Sequence, residues 1–186
     1  AIESMMIGHA SEVKDKLEEF GIAVLVDQSS NESHPLGRTE WIRLYGAILN
    51  EEEAADALFE EQAQYLHTEN IEATGKSVAF FHVSSSGLVV ARKSGDYVSK
   101  MIELAGGRYV FDDLGDKETA TSTVTIEMET FFATAKDADY VIYNSAIGGE
   151  IYTIDDLLEK NSILAELKAV QDGNVWYQSE YVPGNH

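Results

Sequence analysis

Residues 77–92, SVAFFHVSSSGLVVAR, decide the fold class. The apolar run Val78–Val83 predicts a β-strand, and Leu88–Arg92 predicts a second strand. The serines and glycine between them, Ser84–Gly87, predict a hairpin turn rather than a phosphate-binding loop, because the Gly-x-x-x-x-Gly-Lys pattern is absent. A β-sheet is therefore expected to begin near residue 77.

Helices and strands alternate after this hairpin. Helices are predicted at 95–104, 125–136, 153–159 and 161–169, strands at Tyr140–Tyr143 and Val175–Tyr177, and a loop at 112–123. Such alternation is typical of an α/β layer built on a largely parallel sheet.

The residues before the hairpin are mostly helical. An amphipathic helix is predicted at 9–20, where Gly21 stops it, and a short buried strand follows at Ile22–Val26. A further helix is predicted from about Thr39 to Asn50, and a long one at 51–70.

Composition excludes several classes of function. Among 186 residues, 33 acids oppose 13 bases, so the net charge of −20 argues against binding nucleic acid or anionic lipid. The absence of cysteine excludes disulfides, thiolate zinc sites and cysteine nucleophiles. No apolar run approaches the roughly 20 residues of a membrane span. Direct membrane insertion of this chain is therefore not expected.

The sequence lacks the common catalytic and metal-binding motifs. The five histidines show no zinc-site spacing, and no Gly-x-Ser-x-Gly nucleophile elbow occurs. His82, in an apolar strand, is interpreted as a hydrogen-bonded core residue. The residues alone thus predict an acidic α/β domain with no catalytic residues, metal site or cofactor.

Three stretches carry a family resemblance. Residues 21–41, GIAVLVDQSSNESHPLGRTEW, resemble iron-complex substrate-binding proteins of ABC importers, in which a similar strand precedes a His-Pro-Leu-Gly-Arg-x-Glu-Trp segment. Residues 105–109, AGGRY, and 135–144, AKDADYVIYN, are similar to segments that recur in that family. The resemblance covers residues 1–178.

The resemblance implies a two-lobed periplasmic-binding-protein fold, with the ligand held between α/β lobes that a long backbone helix joins. Residues 1–36 would be the last helix and strand of the N-terminal lobe, whose remainder this chain would lack. Residues 37–73 would be linking helices that include the backbone helix at 51–70. Residues 74–186 would be the Rossmann-like C-terminal lobe.

The implied function is capture of an iron complex, such as a ferric siderophore, and its delivery to an ABC permease. The protein would then be extracytoplasmic, either periplasmic or a lipoprotein anchored on the outer cell surface, and would perform no chemistry. Haem, cobalamin or a metal ion are alternative ligands for the same fold. An α/β enzyme and a pure interaction domain are the alternatives from other classes. A lobe without its neighbour would also expose apolar surface, so self-association is a further expectation.

Candidate ligand contacts follow from the expected anionic chelate, which calls for cations and aromatic rings. Arg38 lies in a loop after a strand, where its alternative role is a salt bridge with Glu32 or Glu40. Arg92 closes a strand, where its alternative is an exposed edge charge, whereas Arg108 is assigned to plain surface. The predicted ligand contacts are Arg38, Arg92, Tyr97, Asn144, Ser145 and Tyr177.

The resemblance also implies that a carboxylate on each lobe docks on permease arginines. Glu129, about two helical turns before the strand at Tyr140, fits the position in the C-terminal lobe best, and Glu127 is the second choice. The alternative for both is a solvated helix acid.

Overall fold

The computed structural model describes residues 2–3, 10–66, 71–114 and 123–177. The chain divides into two compact units, Ala1–His67 and Thr68–His186. Each unit is built around its own secondary structure.

The first unit is mainly helical. Its elements are β1 (Ile2–Glu3), α1 (Ser11–Glu19), β2 (Val26–Asp27), a 3-10 turn (Ser29–Asn31), α2 (Pro35–Leu49), α3 (Glu52–Ala63) and a 3-10 turn (Gln64–Leu66). Strands β1 and β2 pair in parallel. Of the strand predicted at Ile22–Val26, only Val26 is in β2, which continues to Asp27 instead.

Helices α2 and α3 form an antiparallel hairpin. A Cβ at Gly46 would lie 2.4 Å from the Cβ of Ala55, so only glycine permits this approach. The guanidinium of Arg43 donates to Asp56 and Glu60, each at 2.7 Å, and lies 4.1 Å from the centre of the Phe59 ring. The turn between the helices is made by Asn50, whose φ is 58°.

Two predicted helix boundaries in this unit were wrong. Helix α2 begins at Pro35 rather than near Thr39, because proline suits the first helical position and the His34 side chain accepts from the Leu36 amide. The long helix predicted at 51–70 is an α-helix only over Glu52–Ala63, followed by a 3-10 turn, and residues 67–70 lie outside the described residues.

The second unit contains a six-stranded sheet with helices. Its strands are β3 (Ser77–Val83), β4 (Val89–Arg92), β5 (Arg108–Tyr109), β6 (Thr123–Ile126), β7 (Tyr140–Tyr143) and β8 (Val175–Tyr177). Its helices are α4 (Tyr97–Leu104), α5 (Met128–Ala135), α6 (Ser145–Gly148), α7 (Ile154–Lys160) and α8 (Lys168–Gln171), with a 3-10 helix at Ser162–Glu166.

The strand order is β6-β4-β3-β7-β8, with β5 beside the first residues of β3. Strands β5, β7 and β8 are parallel to the neighbours they pair with, whereas β4 and β6 run antiparallel to theirs. Because β6 is antiparallel to β4, which is itself antiparallel to β3, five of the six described strands run in one direction, and the sheet is largely parallel as predicted, with β4 reversed. The predicted helix at 125–136 begins only at Met128, because the β-branched run Thr123–Ile126 pairs with β4 instead.

The core forms around β3, all seven residues of which are buried. The ring centroid of Phe81 lies 4.2 Å from that of Phe131 and 5.6 Å from that of Tyr143, which meets it edge-on. These rings join β3 to α5 and β7 with the preferred geometry of aromatic pairs.

Asp139 fastens the entry of β7 to the beginning of β3. Its carboxylate accepts from the backbone amide of Ser77 at 3.0 Å and from the Ser77 hydroxyl at 3.1 Å. Lys168 and Lys76 donate to the other oxygen, at 3.2 and 3.5 Å. The Ser77 amide and then the Lys168 ammonium hold the pKa of Asp139 well below its usual value.

Tyr109 fastens β5 to β4. Its buried hydroxyl accepts from the Arg92 amide at 3.0 Å and donates to the Arg92 carbonyl at 2.9 Å, so one phenol satisfies both backbone groups at the end of β4. Gly106 just before it has a φ of +78°, and a Cβ there would lie 2.7 Å from the carbonyl oxygen of Glu72. The glycine thus serves close packing as well as helix termination.

We expect Tyr109→Phe to lower the free energy of unfolding by about 1–3 kcal/mol, because the backbone amide and carbonyl of Arg92 would lose their hydrogen bonds with the phenol. Urea unfolding monitored by circular dichroism measures this change. Tyr140→Phe is the control, since that half-buried hydroxyl forms no hydrogen bond with the described residues. Equal losses in the two variants would contradict the assigned role of Tyr109.

We expect Asp139→Asn to lower the melting temperature at neutral pH. A carboxylate whose pKa is lower folded than unfolded stabilises the fold above about pH 4, and this contribution is lost as the pH falls through the folded value. The gap between wild type and variant should therefore narrow below about pH 4. Differential scanning calorimetry at several pH values checks this, with Asp137→Asn, an exposed neighbouring change, as control. A gap independent of pH would refute the role of the ionised carboxylate.

Candidate functional site

Strands β3, β7 and β8 are parallel, so their last residues meet at one end of the sheet of the second unit. We call this end the carboxyl edge: the ends of β3, β7 and β8, with helix α6 and the loop at residues 149–153 that follow β7. In open α/β sheets, ligands bind outside the carboxyl ends of the strands.

Two buried polar side chains lie where β7 passes into α6. Asn144 and Ser145 are 3% and 4% exposed. The backbone amide of Asn144 donates to the backbone carbonyl of Phe81 at 2.8 Å. The side-chain Oδ1 of Asn144 and Oγ of Ser145 find no hydrogen-bond partner among the described residues. A buried oxygen left unsatisfied costs about 1–3 kcal/mol, which is unusual in a folded protein and requires an explanation.

His82 lies beneath α6. A Cβ added at Gly148 would come within 2.7 Å of the Cβ of His82 and 2.5 Å of the hydroxyl oxygen of Tyr143, so glycine lets the helix lie directly on these residues. Burial and then the charge of Arg92 lower the pKa of His82, which is therefore neutral at neutral pH. His82 is buried as predicted, but its ring forms none of the expected hydrogen bonds with the described residues.

Two tyrosines supply aromatic surface at this edge. Tyr177 ends β8 in register with Tyr143 and is 44% exposed, and Tyr152 is 67% exposed. The Tyr152 hydroxyl donates to Glu150, and this hydrogen bond is the largest cause of a raised pKa of Tyr152, to which the nearby Tyr177 phenol also contributes. The two phenols therefore lie close enough to interact.

The carboxyl edge brings together three of the predicted ligand contacts, Asn144, Ser145 and Tyr177. Sequence reasoning missed His82 and Tyr152 as neighbours of this edge. The Gly148-Gly149 pair was the available signal, because glycines after a strand mark a close approach of the backbone.

Arg92 and Tyr97 lie together, where β4 ends and α4 begins. The central guanidinium carbon of Arg92 is 5.8 Å from the centre of the Tyr97 ring, and its Nη1 donates to the buried Asp96 at 3.4 Å. Because β4 is antiparallel to β3, the end of β4 points away from the carboxyl edge. Their assignment as ligand contacts stays a prediction.

Arg38 belongs to the first unit, where it closes the loop before α2. Its guanidinium donates to the backbone carbonyls of Ser30 and Glu32. The Glu32 carboxylate, which the sequence offered along with Glu40 as a salt-bridge partner of Arg38, accepts from the indole nitrogen of Trp41 at 3.1 Å. Its role in ligand binding stays a prediction.

Glu127 and Glu129 are exposed at the beginning of α5. Among the described residues, neither carboxylate takes part in a hydrogen bond or ion pair. Acids in a first helical turn interact favourably with the helix dipole, so this turn presents two carboxylates to solvent at little cost.

Across the parts of the chain that the structure describes, no three histidine or acidic side chains converge in a way that could hold a metal ion. Within the same parts, none of the helices has the length and apolarity needed to span a membrane.

Most of this chain is similar in sequence to part of a longer lipoprotein. An uncharacterized lipoprotein of Methanocaldococcus jannaschii is 28% identical over 168 residues, which are 89% of this chain but 39% of the relative's length. The chain thus spans well under half of that relative.

Solved structures share the fold at low identity. The haem-binding protein HutB of Vibrio cholerae has a TM-score of 0.70 at 20% identity, over 90% of this chain and 62% of its own. A structure from the Fe3+-hydroxamate transport system of Saccharomonospora viridis has a TM-score of 0.67 at 19% identity, over 89% of this chain and 57% of its own. The periplasmic binding protein family model matches residues 4–181, and the chain therefore belongs to the periplasmic binding protein family.

Proposed function

We propose that the protein is the substrate-binding component of an ABC importer and that it captures an iron complex outside the cytoplasmic membrane. The observation that carries the proposal is the carboxyl edge, where Asn144 and Ser145, whose side-chain oxygens are unpaired, directly follow β7 and the exposed Tyr177 ends the neighbouring β8. Unsatisfied acceptors beside aromatic faces suit a bulky ligand with polar and planar parts.

The similar proteins support this class of ligand. One structural relative is a haem-binding protein and another belongs to a ferric hydroxamate transport system. The curated relative is a lipoprotein, which favours an anchored, extracytoplasmic location for this protein too. The proposed cargo is a ferric chelate, taken up and released without chemical change.

Binding at the carboxyl edge would divide the work between two kinds of side chain. The rings of Tyr152 and Tyr177 contribute contact area at little entropic cost, since each has few rotatable bonds. Asn144 and Ser145, the N-cap and first residue of α6, are buried in this structure, so their oxygens would reach a ligand only if this four-residue helix shifts. The neutral His82 beneath α6 is a further polar group at this edge.

The exposed turn at Glu127 and Glu129 is the proposed permease contact. Carboxylates free of intramolecular partners can form charge-assisted pairs with arginines of another protein without first breaking a bond. Strand β6 ends at Ile126, level with Val83 at the end of β3, so this turn lies at the same end of the sheet as the carboxyl edge, with β4 and β3 between it and β7.

We expect Tyr177→Ala in the full-length protein to weaken binding of its best ferric chelate about tenfold, since one lost aromatic contact is worth about 1–1.5 kcal/mol. Tyr97→Ala is the discriminating partner, because Tyr97 lies with Arg92 away from this edge. Fluorescence titration measures both affinities. A loss in Tyr97→Ala without a loss in Tyr177→Ala would place the ligand at the Arg92 cluster instead.

We expect the double change Glu127→Ala and Glu129→Ala to spare chelate affinity and to reduce iron uptake by cells several-fold, because the permease contact would be weakened. Uptake of radioactive iron and titration of the purified variant measure the two effects separately. Glu159→Ala removes an exposed helix acid from α7 and should change neither. Normal uptake by the double variant would rule out this turn as the docking site.

A further inference from the structure

Charge is distributed unevenly between the two ends of the sheet in the second unit. Lys76 and Lys168 are held at Asp139, which precedes β7, and Arg108 pairs with the first residue of β3. Arg92 is held by Asp96 beyond the end of the antiparallel β4. Lys76, Lys168 and Arg108 therefore lie at the end of the sheet opposite the carboxyl edge, whereas Arg92 lies 6.0 Å from the centre of the Phe80 ring, near enough for its charge to lower the pKa of His82.

Among the described residues, Lys160 is the basic side chain that a hydrogen bond places at the carboxyl edge. Its ammonium donates at 3.1 Å to the carbonyl of Gly148, which also accepts from the Tyr143 hydroxyl at 3.1 Å. Lys160 thus fixes the end of α6 and is engaged by the backbone. The remaining sequence beyond Tyr177 contains no lysine or arginine.

Acids surround the two tyrosines instead. Glu150 accepts from the Tyr152 hydroxyl, and Asp156 accepts from the amides of Tyr152 and Thr153 at 2.8 and 2.9 Å. The Tyr152 amide is the largest cause of the lowered pKa of Asp156, so this carboxylate is ionised at neutral pH. Asp155 is exposed beside it. A negative field therefore lies next to the aromatic faces, within a chain whose net charge is −20.

We propose that the cargo held at the carboxyl edge is an electroneutral or cationic ferric chelate of the hydroxamate class. An iron(III) ion with three hydroxamates is neutral at its centre, and an added ammonium group makes such a chelate cationic. Carboxylates and phenol faces attract such a ligand, whereas they repel a triply negative tris-catecholate or the carboxylates of haem. The inference rests on the proposed function and narrows it. It also replaces the expectation of an anionic chelate held by arginines.

The test is a titration of the full-length protein, by intrinsic fluorescence, with four probes at low and high salt. The probes are a neutral ferric tris-hydroxamate, a cationic ferric tris-hydroxamate, a ferric tris-catecholate and haemin. We expect the two hydroxamates to bind at least tenfold more tightly than the two anions. Salt should weaken binding of the cationic probe and leave the neutral probe nearly unchanged.

The outcomes separate the two proposals. Tightest binding of the catecholate or haemin would overturn the charge inference and leave the importer function standing. Binding of no chelate by the folded protein would overturn both.

A pair of variants tests the carboxylate directly. We expect Glu150→Gln to weaken binding of the cationic hydroxamate roughly threefold to fivefold while the neutral probe binds as before. Glu159→Gln, which removes the same charge from the exposed face of α7, should change neither affinity. Unchanged binding of the cationic probe by Glu150→Gln would count against a role for this field.

Discussion

The pairing of β3 on both of its edges is the constraint on which the second unit depends. Strand β7 runs along one edge, while β5 and β4 share the other, the former beside Ser77 and Val78 and the latter beside Phe81–Val83. This central strand is also buried on both of its faces, which explains its nearly unbroken apolar run. Because β7 and β8 are parallel to it, their carboxyl ends are brought to one place, and the candidate site is a direct consequence of this pairing.

The segments that resemble the family prove to be structural. In AKDADYVIYN, Asp139 ties β7 to β3, and in AGGRY, Tyr109 ties β5 to β4 while Gly106 admits the passing chain. In the His-Pro-Leu-Gly-Arg segment, Arg38 closes a loop through backbone carbonyls. Residues that form a scaffold serve every member of a fold family, whatever its cargo. This is why the resemblance identifies the family and leaves the ligand open.

The sequence predicted the hairpin, the buried strands at 78–83 and 140–143 and most helices, because their periodicity and turn residues are local signals. It did not predict that β6 would replace the start of a helix, since the short run Thr123–Ile126 becomes a strand only through pairing with β4. The direction of β4, by contrast, follows from the predicted hairpin, because a hairpin makes its two strands antiparallel. The sequence placed Asn144, Ser145 and Tyr177 at one edge of the sheet because the ends of parallel strands can be read from the chain, whereas the burial of His82 under α6 depends on tertiary packing.

The unpaired oxygens at the carboxyl edge cost stability that the core must offset. The aromatic contacts of Phe81 with Phe131 and Tyr143 lie directly behind this edge, so a cluster of core rings supports the part of the unit that holds these unpaired oxygens. The cations, by contrast, are engaged at the opposite end, where Lys76 and Lys168 neutralise Asp139. The sheet thus has an aromatic core at its centre. Its lysines at one end stabilise the fold, and the acidic, aromatic carboxyl edge keeps unpaired polar groups. This arrangement suits a lobe that must fold without its cargo and still keep polar groups in reserve for it.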